Sequence, residues 1–275
     1  MQFRFNTEVA AITHSGRKAT GISLIDGTTL TADTIISCTD LHHTENRLLP
    51  KEKRTYKEEW FAPRDPGLGT VLVMLGVEGE LPELAHHNFL FSDDWLPDFD
   101  AVFDGPVASR PLGASKSIYV CKPSATDPTV APAGSENLFV LVPVPAAEFI
   151  GHGDMYHDHA SAQVERIADE AIARIAERCG VEGLEQRVVV KQTLGPQDFA
   201  ERYHAWSGGS IGPAHTLRQS AFLRGQNRSR KLDNLYYAGA TTTPGVGVPM
   251  CLISAENVLK RLRGDHSPGP LPEAL

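Results

Sequence analysis

Glycines and prolines are concentrated near one end of this 275-residue chain, in a pattern suited to holding a flat ligand. Residues 238–249 read Ala-Gly-Ala-Thr-Thr-Thr-Pro-Gly-Val-Gly-Val-Pro, between a short apolar strand and an amphipathic helix. Glycine lets the backbone approach a ligand without a Cβ in the way, and proline stiffens the turn. The helix N-terminus offers N–H groups and partial positive charge to an anion or an electron-rich carbonyl. A plain strand–turn–helix connection uses the same residues, and spacing alone does not separate the two interpretations.

Two helices are predicted from apolar residues that recur every three or four positions. The first covers residues 158–179 with Gly180 beyond its end, and Asp154 or Asp158 is its expected N-cap. The second starts near Pro249 and ends at Gly264, with basic residues in its last turn. Its predicted apolar face consists of Leu252, Ala255, Val258, Leu259 and Leu262.

Short strands and turn residues predict two sheets. Residues 2–5, 9–13, 19–24, 29–30 and 35–37 form a β-meander whose clearest hairpin signal is Asp26-Gly27. Longer apolar runs predict a second sheet, covered by helix 158–179, which is an α+β arrangement. These runs are residues 68–77, 117–122, 138–144 and 188–193.

Composition narrows the classes of function. The formal net charge of −8 argues against a nucleic-acid partner. Met1 is followed by a strand-like segment instead of a signal peptide, and no apolar run approaches the ~20 residues that span a bilayer, so we expect a cytoplasmic protein. The cysteines lack metal-ligand spacing, which predicts free thiols and no metal site. Solvated side chains are expected for His152, His157 and His159, and core packing for Trp60-Phe61 and Trp95-Leu96.

Several segments, in order along the chain, resemble bacterial-type phytoene desaturases of the amine-oxidase-like flavoprotein superfamily. The glycine–proline segment, with Ser254-Ala255 after it, resembles the C-terminal flavin-binding signature of that family. The other matching segments are Asp26-Gly27, Ala32-Asp33, Ser37 to Asp40, His86-His87 to Asp93-Asp94, Ile118 to Pro132, Asn137 to Pro145, and Gln219 with Phe222 and Arg224. Within that resemblance, His86-His87 is expected at or near the surface.

The resemblance implies FAD as cofactor, an apolar polyene such as phytoene as substrate, and hydride transfer to the flavin. Glu8-Val9 resembles a segment that meets the adenine, and Gly245 with Gly247 would give clearance for the isoalloxazine ring. The sequence names no catalytic acid or base. The implied cofactor-binding residues are Val9, Asp40, Gly239, Ala240, Thr241, Thr242, Pro244, Gly245, Val246, Gly247, Val248 and Pro249.

Full-length family members begin with a βαβ unit carrying Gly-x-Gly-x-x-Gly, and this motif is absent from the present sequence. The expected fold is therefore an α+β substrate domain with a mixed or antiparallel sheet, plus the C-terminal part of a Rossmann-like FAD domain. The expected divisions are residues 1–45 (partial FAD domain), 46–205 (substrate domain), 206–264 (closing part of the FAD domain) and 265–275 (flexible tail).

Two functions remain open. The chain is either a C-terminal fragment or split subunit of an FAD-dependent carotenoid desaturase, completed by an N-terminal half, or a non-catalytic module that binds an apolar ligand or a partner polypeptide. Because carotenoids dissolve in membranes, peripheral membrane contact belongs to the first function.

Overall fold

The computed structural model describes residues 2–103 and 114–271. The strands are β1 (Val9–Ser15), β2 (Lys18–Leu24), β3 (Thr29–Thr31), β4 (Ile35–Ser37), β5 (Leu68–Glu78), β6 (His87–Leu90), β7 (Ile118–Cys121), β8 (Ser135–Pro145), β9 (Val188–Leu194) and β10 (Leu235–Tyr237). The α-helices are α1 (Leu41–Asn46), α2 (Glu58–Phe61), α3 (Leu96–Val102), α4 (Ala162–Cys179), α5 (Leu184–Arg187), α6 (Pro196–Tyr203) and α7 (Val248–Arg263). None of these helices is long and apolar enough to cross a membrane.

The chain divides into two compact units. Unit 1 comprises Met1–Pro66, His204–Trp206 and Ile211–Leu275, and unit 2 comprises Gly67–Tyr203 with Ser207–Ser210. Residues 46–66, which the sequence analysis placed in the substrate domain, lie in unit 1. Both units combine helices and sheets, in keeping with the predicted α+β class.

Unit 1 contains the predicted β-meander and a parallel strand pair. Strands β1, β2 and β3 form an antiparallel sheet, and β10 pairs in parallel with β4. The strand predicted at residues 2–5 is wrong: these residues form no strand, and Phe3 and Phe5 are exposed. Their alternating apolar pattern has no neighbouring strand to pair with in the described chain.

The core of unit 1 lies between the meander, α1 and one face of β10. Leu235 and Tyr237 of β10 pack into this core with Ile12, Leu41 and Leu49. Phe61 is also buried here, as predicted. On the opposite face of β10, Tyr236 and Ala238 contact Val258 of α7. The strand pair therefore positions α7 on the face opposite the main core.

Unit 2 is a five-stranded antiparallel sheet covered by a long helix. The strand order is β6-β7-β8-β5-β9, so all four strands predicted for this sheet are present with slightly different bounds. Apolar residues of α4 pack against one face of the sheet, where the alternate residues Val71, Val73, Val140 and Val142 are buried. The other face carries Leu72, Met74, Phe139 and Leu141, which are partly buried.

The helix predicted at 158–179 begins later, because Ser161 occupies the N-cap position of α4. Neither Asp154 nor Asp158 caps it, contrary to the prediction. Asp154 instead accepts hydrogen bonds from the N–H and the hydroxyl of Thr193 in β9, at 2.6 and 2.9 Å. The end of the helix is confirmed: Gly180 adopts the left-handed conformation of a C-terminal cap.

The apolar face predicted for α7 is only partly buried. Val258 is buried and Leu259 is partly buried, but Leu252, Ala255 and Leu262 are exposed. Two polar residues, Ser254 and Lys260, are buried instead. Ser254 is held by hydrogen bonds to neighbouring loops, and Lys260 donates to the carbonyl oxygens of Ser267 and Gly269. These polar contacts turn the apolar stripe of α7 away from its own unit.

Candidate functional site

The glycine–proline loop (residues 239–249) begins where β10 ends and is fastened to α7. The Gly239 N–H donates to Ser254 Oγ at 3.0 Å, and the Thr242 N–H donates to the Gly239 carbonyl at 3.2 Å. The side-chain amide of Asn227 donates to Ser254 Oγ and to the carbonyl of Thr243, both at 2.9 Å. Asn227 and Ser254 are fully buried. The loop is therefore held in one conformation by buried polar side chains.

A buried cation lies under the same loop. Arg224 Nη2 donates to the Ala240 carbonyl at 3.0 Å, and Nη1 donates to the Gln219 carbonyl at 3.2 Å. Burial lowers the pKa of Arg224, although arginine remains charged at any working pH. His215 lies beside Gly245, and its pKa is lowered by burial and then by the charge of Arg224. The loop thus has a fixed positive charge next to its backbone.

The N-terminus of α7 opens at Gly247. This residue is the N-cap, has φ of 106°, and receives no side-chain capping hydrogen bond. A Cβ placed on Gly247 would meet no atom within 4 Å, and the next residue, Val248, is 76% exposed. The partial positive charge of the helix end therefore faces open space, flanked by a backbone without side chains. These features fit a flat, electron-rich ligand such as a flavin ring.

Asp40 joins this site from the end of β4. Its carboxylate accepts from the His42 N–H at 2.7 Å, which caps α1, and from the Trp206 N–H at 3.3 Å. Burial raises the pKa of Asp40, and these hydrogen bonds act in the opposite direction. The adjacent Leu41 N–H donates to Thr241 Oγ1 at 3.0 Å. The structure therefore brings Asp40 and the glycine–proline loop together.

The remaining predicted site residue, Val9, lies at the start of β1. It pairs with Leu24 and packs on the core of unit 1. Within the loop, Thr242 and Gly245 are buried, and Gly247, Val248 and Pro249 are exposed. The loop residues that are partly buried are Gly239, Ala240, Thr241, Pro244 and Val246.

Sequence reasoning missed the anchoring role of Asn227 and Ser254, and it noted Arg224 only as part of a resemblance. Asn227 is 15 positions from Thr242, its hydrogen-bonding neighbour in the loop. No local pattern marks such a residue, because its role exists only once the loop folds back. The one available signal was a polar Ser254 inside an otherwise apolar helical stretch.

Unit 2 presents an apolar surface besides its core. The sheet face opposite α4 continues into Phe89, which is 62% exposed, and Tyr119 lies opposite it in the register of β6 and β7. The core packing predicted for Trp95-Leu96 is wrong, because both side chains are exposed. Trp95 and Leu96 belong to a group of exposed apolar side chains in and beside α3, here called the α3 aromatic patch. The patch consists of Phe91, Trp95, Leu96, Phe99 and Phe103.

The histidines also depart in part from expectation. His86 is partly buried and His87 is exposed, as the near-surface prediction stated. His157, predicted to be solvated, lies with Nε2 3.3 Å from Oδ1 of Asp198, a carboxylate that is 1% exposed. The ring of His157 also packs on His152 with centroids 3.9 Å apart. These side chains support the turn before α4.

The fold recurs in solved structures of larger proteins. An oxidoreductase from Methanosarcina mazei matches with a TM-score of 0.56 at 16% identity, over 92% of this chain and 49% of that one. A protein from Pyrococcus furiosus matches with a TM-score of 0.50 at 12% identity, over 95% of this chain and 47% of that one. At these identities the likeness concerns the fold alone.

The family model described as flavin containing amine oxidoreductase matches residues 1–261, so the chain belongs to that family. The carotenoid 3,4-desaturase of Haloarcula japonica is 38% identical over 244 residues, covering 89% of this chain and 46% of that protein. The zeta-carotene-forming phytoene desaturase of Myxococcus xanthus is 31% identical, covering 95% and 48%. The relationship to carotenoid desaturases is therefore confirmed. The chain spans about half the length of the curated relatives it matches.

Proposed function

We propose that this chain forms the substrate unit and the closing part of the flavin site of an FAD-dependent carotenoid desaturase. The observation that carries the proposal is the open, uncapped N-terminus of α7 beside the glycine–proline loop. The similarity to enzymes named as carotenoid and phytoene desaturases supports the reaction class. The substrate is an apolar polyene such as phytoene, from which two hydrogens on adjacent carbons are removed.

The roles of the residues follow from their contacts. When bound, FAD supplies the two-electron acceptor that amino-acid side chains lack. The first N–H groups of α7 and the charge of Arg224 favour an electron-rich edge of the ring, and Gly247 leaves it room. Gly245 is instead packed against His215. Asn227 and Ser254 hold the loop that presents these groups. None of these residues transfers a proton in the proposal.

The apolar face of the sheet in unit 2 is the proposed substrate surface. Leu72, Met74, Phe139 and Leu141 lie on this face, opposite the core beneath α4. An apolar surface with few polar groups suits a hydrocarbon chain, which offers no hydrogen bonds to satisfy. Aromatic side chains at its edge, such as Phe89, extend that surface towards solvent.

A second polypeptide segment, carrying the Gly-x-Gly-x-x-Gly motif, is proposed to complete the site. It belongs either to the same protein or to a separate subunit. Two observations support it: the exposed apolar stripe of α7, and a parallel sheet of only two strands, β4 and β10, in the described chain. Parallel sheets are normally larger and covered on both faces by helices. The alternative, a non-catalytic module, predicts no flavin in any combination.

The test is to purify this chain alone and after co-expression with an N-terminal half that contains the motif. We expect the visible flavin absorption only in the complex. The variant Gly247→Ala places a methyl group in the open space, and we expect the flavin affinity of the complex to fall by about tenfold or more, which corresponds to roughly 1.4 kcal/mol or more.

Gly264→Ala is the matched control for this experiment. Gly264 ends the same helix, also has positive φ, and also has open space around it. Its φ and ψ of 66° and 23° are left-handed helical and strain an alanine less than the 106° and 150° of Gly247, so flavin content is compared per folded molecule of each variant. Equal flavin loss in both variants would contradict a ligand at Gly247. A complex that stays colourless with both halves folded would favour the non-catalytic module.

We also propose that the α3 aromatic patch contacts a membrane surface, where carotenoids dissolve. Trp and Phe side chains favour the interface between lipid and water. Replacing Trp95 and Leu96 by serine should reduce flotation with phospholipid vesicles. The control replaces the exposed Phe149 and Val189 of the same unit. Equal flotation of both variants would show that the patch has no special role.

A further inference from the structure

Two adjacent histidines and a cysteine converge on the edge of the sheet in unit 2. In the register of β6 and β7, His87 lies directly opposite Cys121, and His86 immediately precedes β6. One potential ligand atom from each of the three side chains lies within 4.8 Å of the others. Antiparallel pairing brings opposite Cβ atoms to about 4.5–5.5 Å, which explains the approach of His87 and Cys121.

Both imidazole rings are oriented by a hydroxyl group. His87 Nδ1 lies 2.7 Å from the hydroxyl of Tyr119, and His86 Nδ1 lies 2.8 Å from Thr126 Oγ1. Histidines that bind metals usually have their other ring nitrogen held by a hydrogen bond, most often to a carboxylate, a backbone carbonyl or water, which fixes the tautomer and the ring orientation. Here a hydroxyl group takes that place on each ring. The arrangement therefore has an outer shell as well as three candidate ligands.

We propose that His86, His87 and Cys121 bind a thiophilic divalent metal ion of the Zn²⁺ class. Thiolate and imidazole are the ligands that such ions prefer, and the cluster contains no carboxylate of the kind that selects Mg²⁺ or Ca²⁺. His87 is exposed and the other two residues are partly buried, so an ion can enter from solvent. Three protein ligands leave a coordination position for water.

The site lies outside the elements assigned to the flavin, and its existence does not depend on the proposed desaturation. The cysteine spacing along the chain predicted no metal site. Cys121 reaches the two histidines only because β7 pairs with β6. The contrasting explanation is a cluster of side chains joined by hydrogen bonds that binds no metal.

The test uses the full chain, freed of metal with a chelator and then titrated with Co²⁺. We expect one ion per chain, with the near-ultraviolet charge-transfer absorption that cobalt–thiolate bonds produce. Zn²⁺ should displace Co²⁺ and abolish that band. Cys121→Ser should remove the band, and both Cys121→Ser and His87→Gln should weaken Zn²⁺ binding at least about tenfold.

Cys179→Ser is the matched control, since Cys179 is also a partly buried thiol of unit 2. It should retain the cobalt band and the Zn²⁺ affinity. Because the His87 side chain is exposed, His87→Gln tests the site even where Cys121→Ser does not fold. Absence of the band in the wild-type chain would overturn the proposal. So would Zn²⁺ affinities within about twofold of wild type in both folded ligand variants.

Discussion

Helices α4 and α7 have similar lengths, 18 and 16 residues, and both have an apolar stripe, but their surroundings differ completely. In α4 the stripe is buried against the sheet of unit 2: Val164, Ile167, Ala168, Ala171, Ile172 and Ile175. In α7 the corresponding stripe is largely exposed, with Leu252 at 67% and Leu262 at 42%. Helical periodicity thus identifies an apolar face without telling whether the chain itself supplies the partner.

The two helices also differ in what fixes their orientation. Six buried apolar side chains orient α4 on the sheet, with ion pairs from Glu165 and Asp169 to Lys191 beside them, whereas α7 is oriented by Val258 on β10 and by the hydrogen bonds of Ser254. That geometry leaves the N-terminus of α7 open beside the glycine–proline loop. Exposed apolar patches of this kind commonly mark sites of interaction. The proposed second segment would cover the stripe that α4 covers with its own sheet.

The largest expected difference between the two helices is in the loss of folding stability when an apolar side chain is truncated. Ile167→Ala in α4 removes fully buried apolar volume and should lower the free energy of unfolding by about 2–5 kcal/mol. Leu252→Ala in α7 should change the free energy of unfolding by less than about 0.5 kcal/mol, since the Leu252 side chain is mostly exposed and buries little apolar surface. Urea denaturation of the isolated chain measures both. A large loss from Leu252→Ala would mean that α7 is already packed.

For binding of the proposed second segment, we expect a substitution on α7 to matter more than one in α4, the reverse of the order expected for folding stability. Leu252→Asp should leave the isolated chain folded but weaken binding to a co-purified N-terminal half by about tenfold or more, because it places a charge in an apolar contact. Leu217→Asp is the control, because Leu217 is even more exposed, at 92%, and lies in the same unit. If Leu252→Asp and Leu217→Asp weaken binding equally, as measured by calorimetry or pull-down, the exposed face of α7 is not the interface.

Lowering the pH should destabilise the two units in different pH ranges. This is the smallest of the three effects that we expect. Burial, and then the charge of His204 stacked upon it at 3.9 Å, lower the pKa of His43 in unit 1 from 6.5 to about 4. The folded state therefore binds fewer protons than the unfolded state, and stability is lost as pH falls from about 6.5 towards 4. After allowance for partial exposure, the loss is about 1–2 kcal/mol.

The measurement is the difference in unfolding free energy between wild type and His43→Gln across this range. Burial raises the pKa values of Asp40 and Glu45, so these two groups make the folded state more stable as pH falls. Only the difference between wild type and His43→Gln therefore isolates the contribution of His43. In unit 2, burial acts to raise the pKa values of Asp98 and Glu136, but several hydrogen bonds to each carboxylate together outweigh it and lower the pKa. The stability that these two groups contribute is therefore lost at more acidic pH. A pH-independent difference would contradict the assigned role of His43.

Much of the secondary structure could be predicted from local pattern. Strands β1 to β5 and β7 to β10, the Gly180 and Gly264 caps and the body of α4 follow from apolar spacing and turn residues, which are properties of neighbouring positions. Strand β6 was not predicted. The strand at residues 2–5 could not be excluded that way, because a strand also needs a pairing partner. The same limit applies to Trp95 and Leu96, whose apolar character does not say whether they are covered.

The sequence by itself determined the family, through ordered motifs, and the chemistry available to the glycine–proline loop. Only the tertiary structure decided that Asn227, Ser254 and Arg224 hold that loop, and that His86, His87 and Cys121 meet at a sheet edge. It also decided that the apolar stripe of α7 is turned outwards. The reason is physical: backbone propensity and periodicity act over a few residues. Burial and side-chain contacts depend on which distant segments fold against each other.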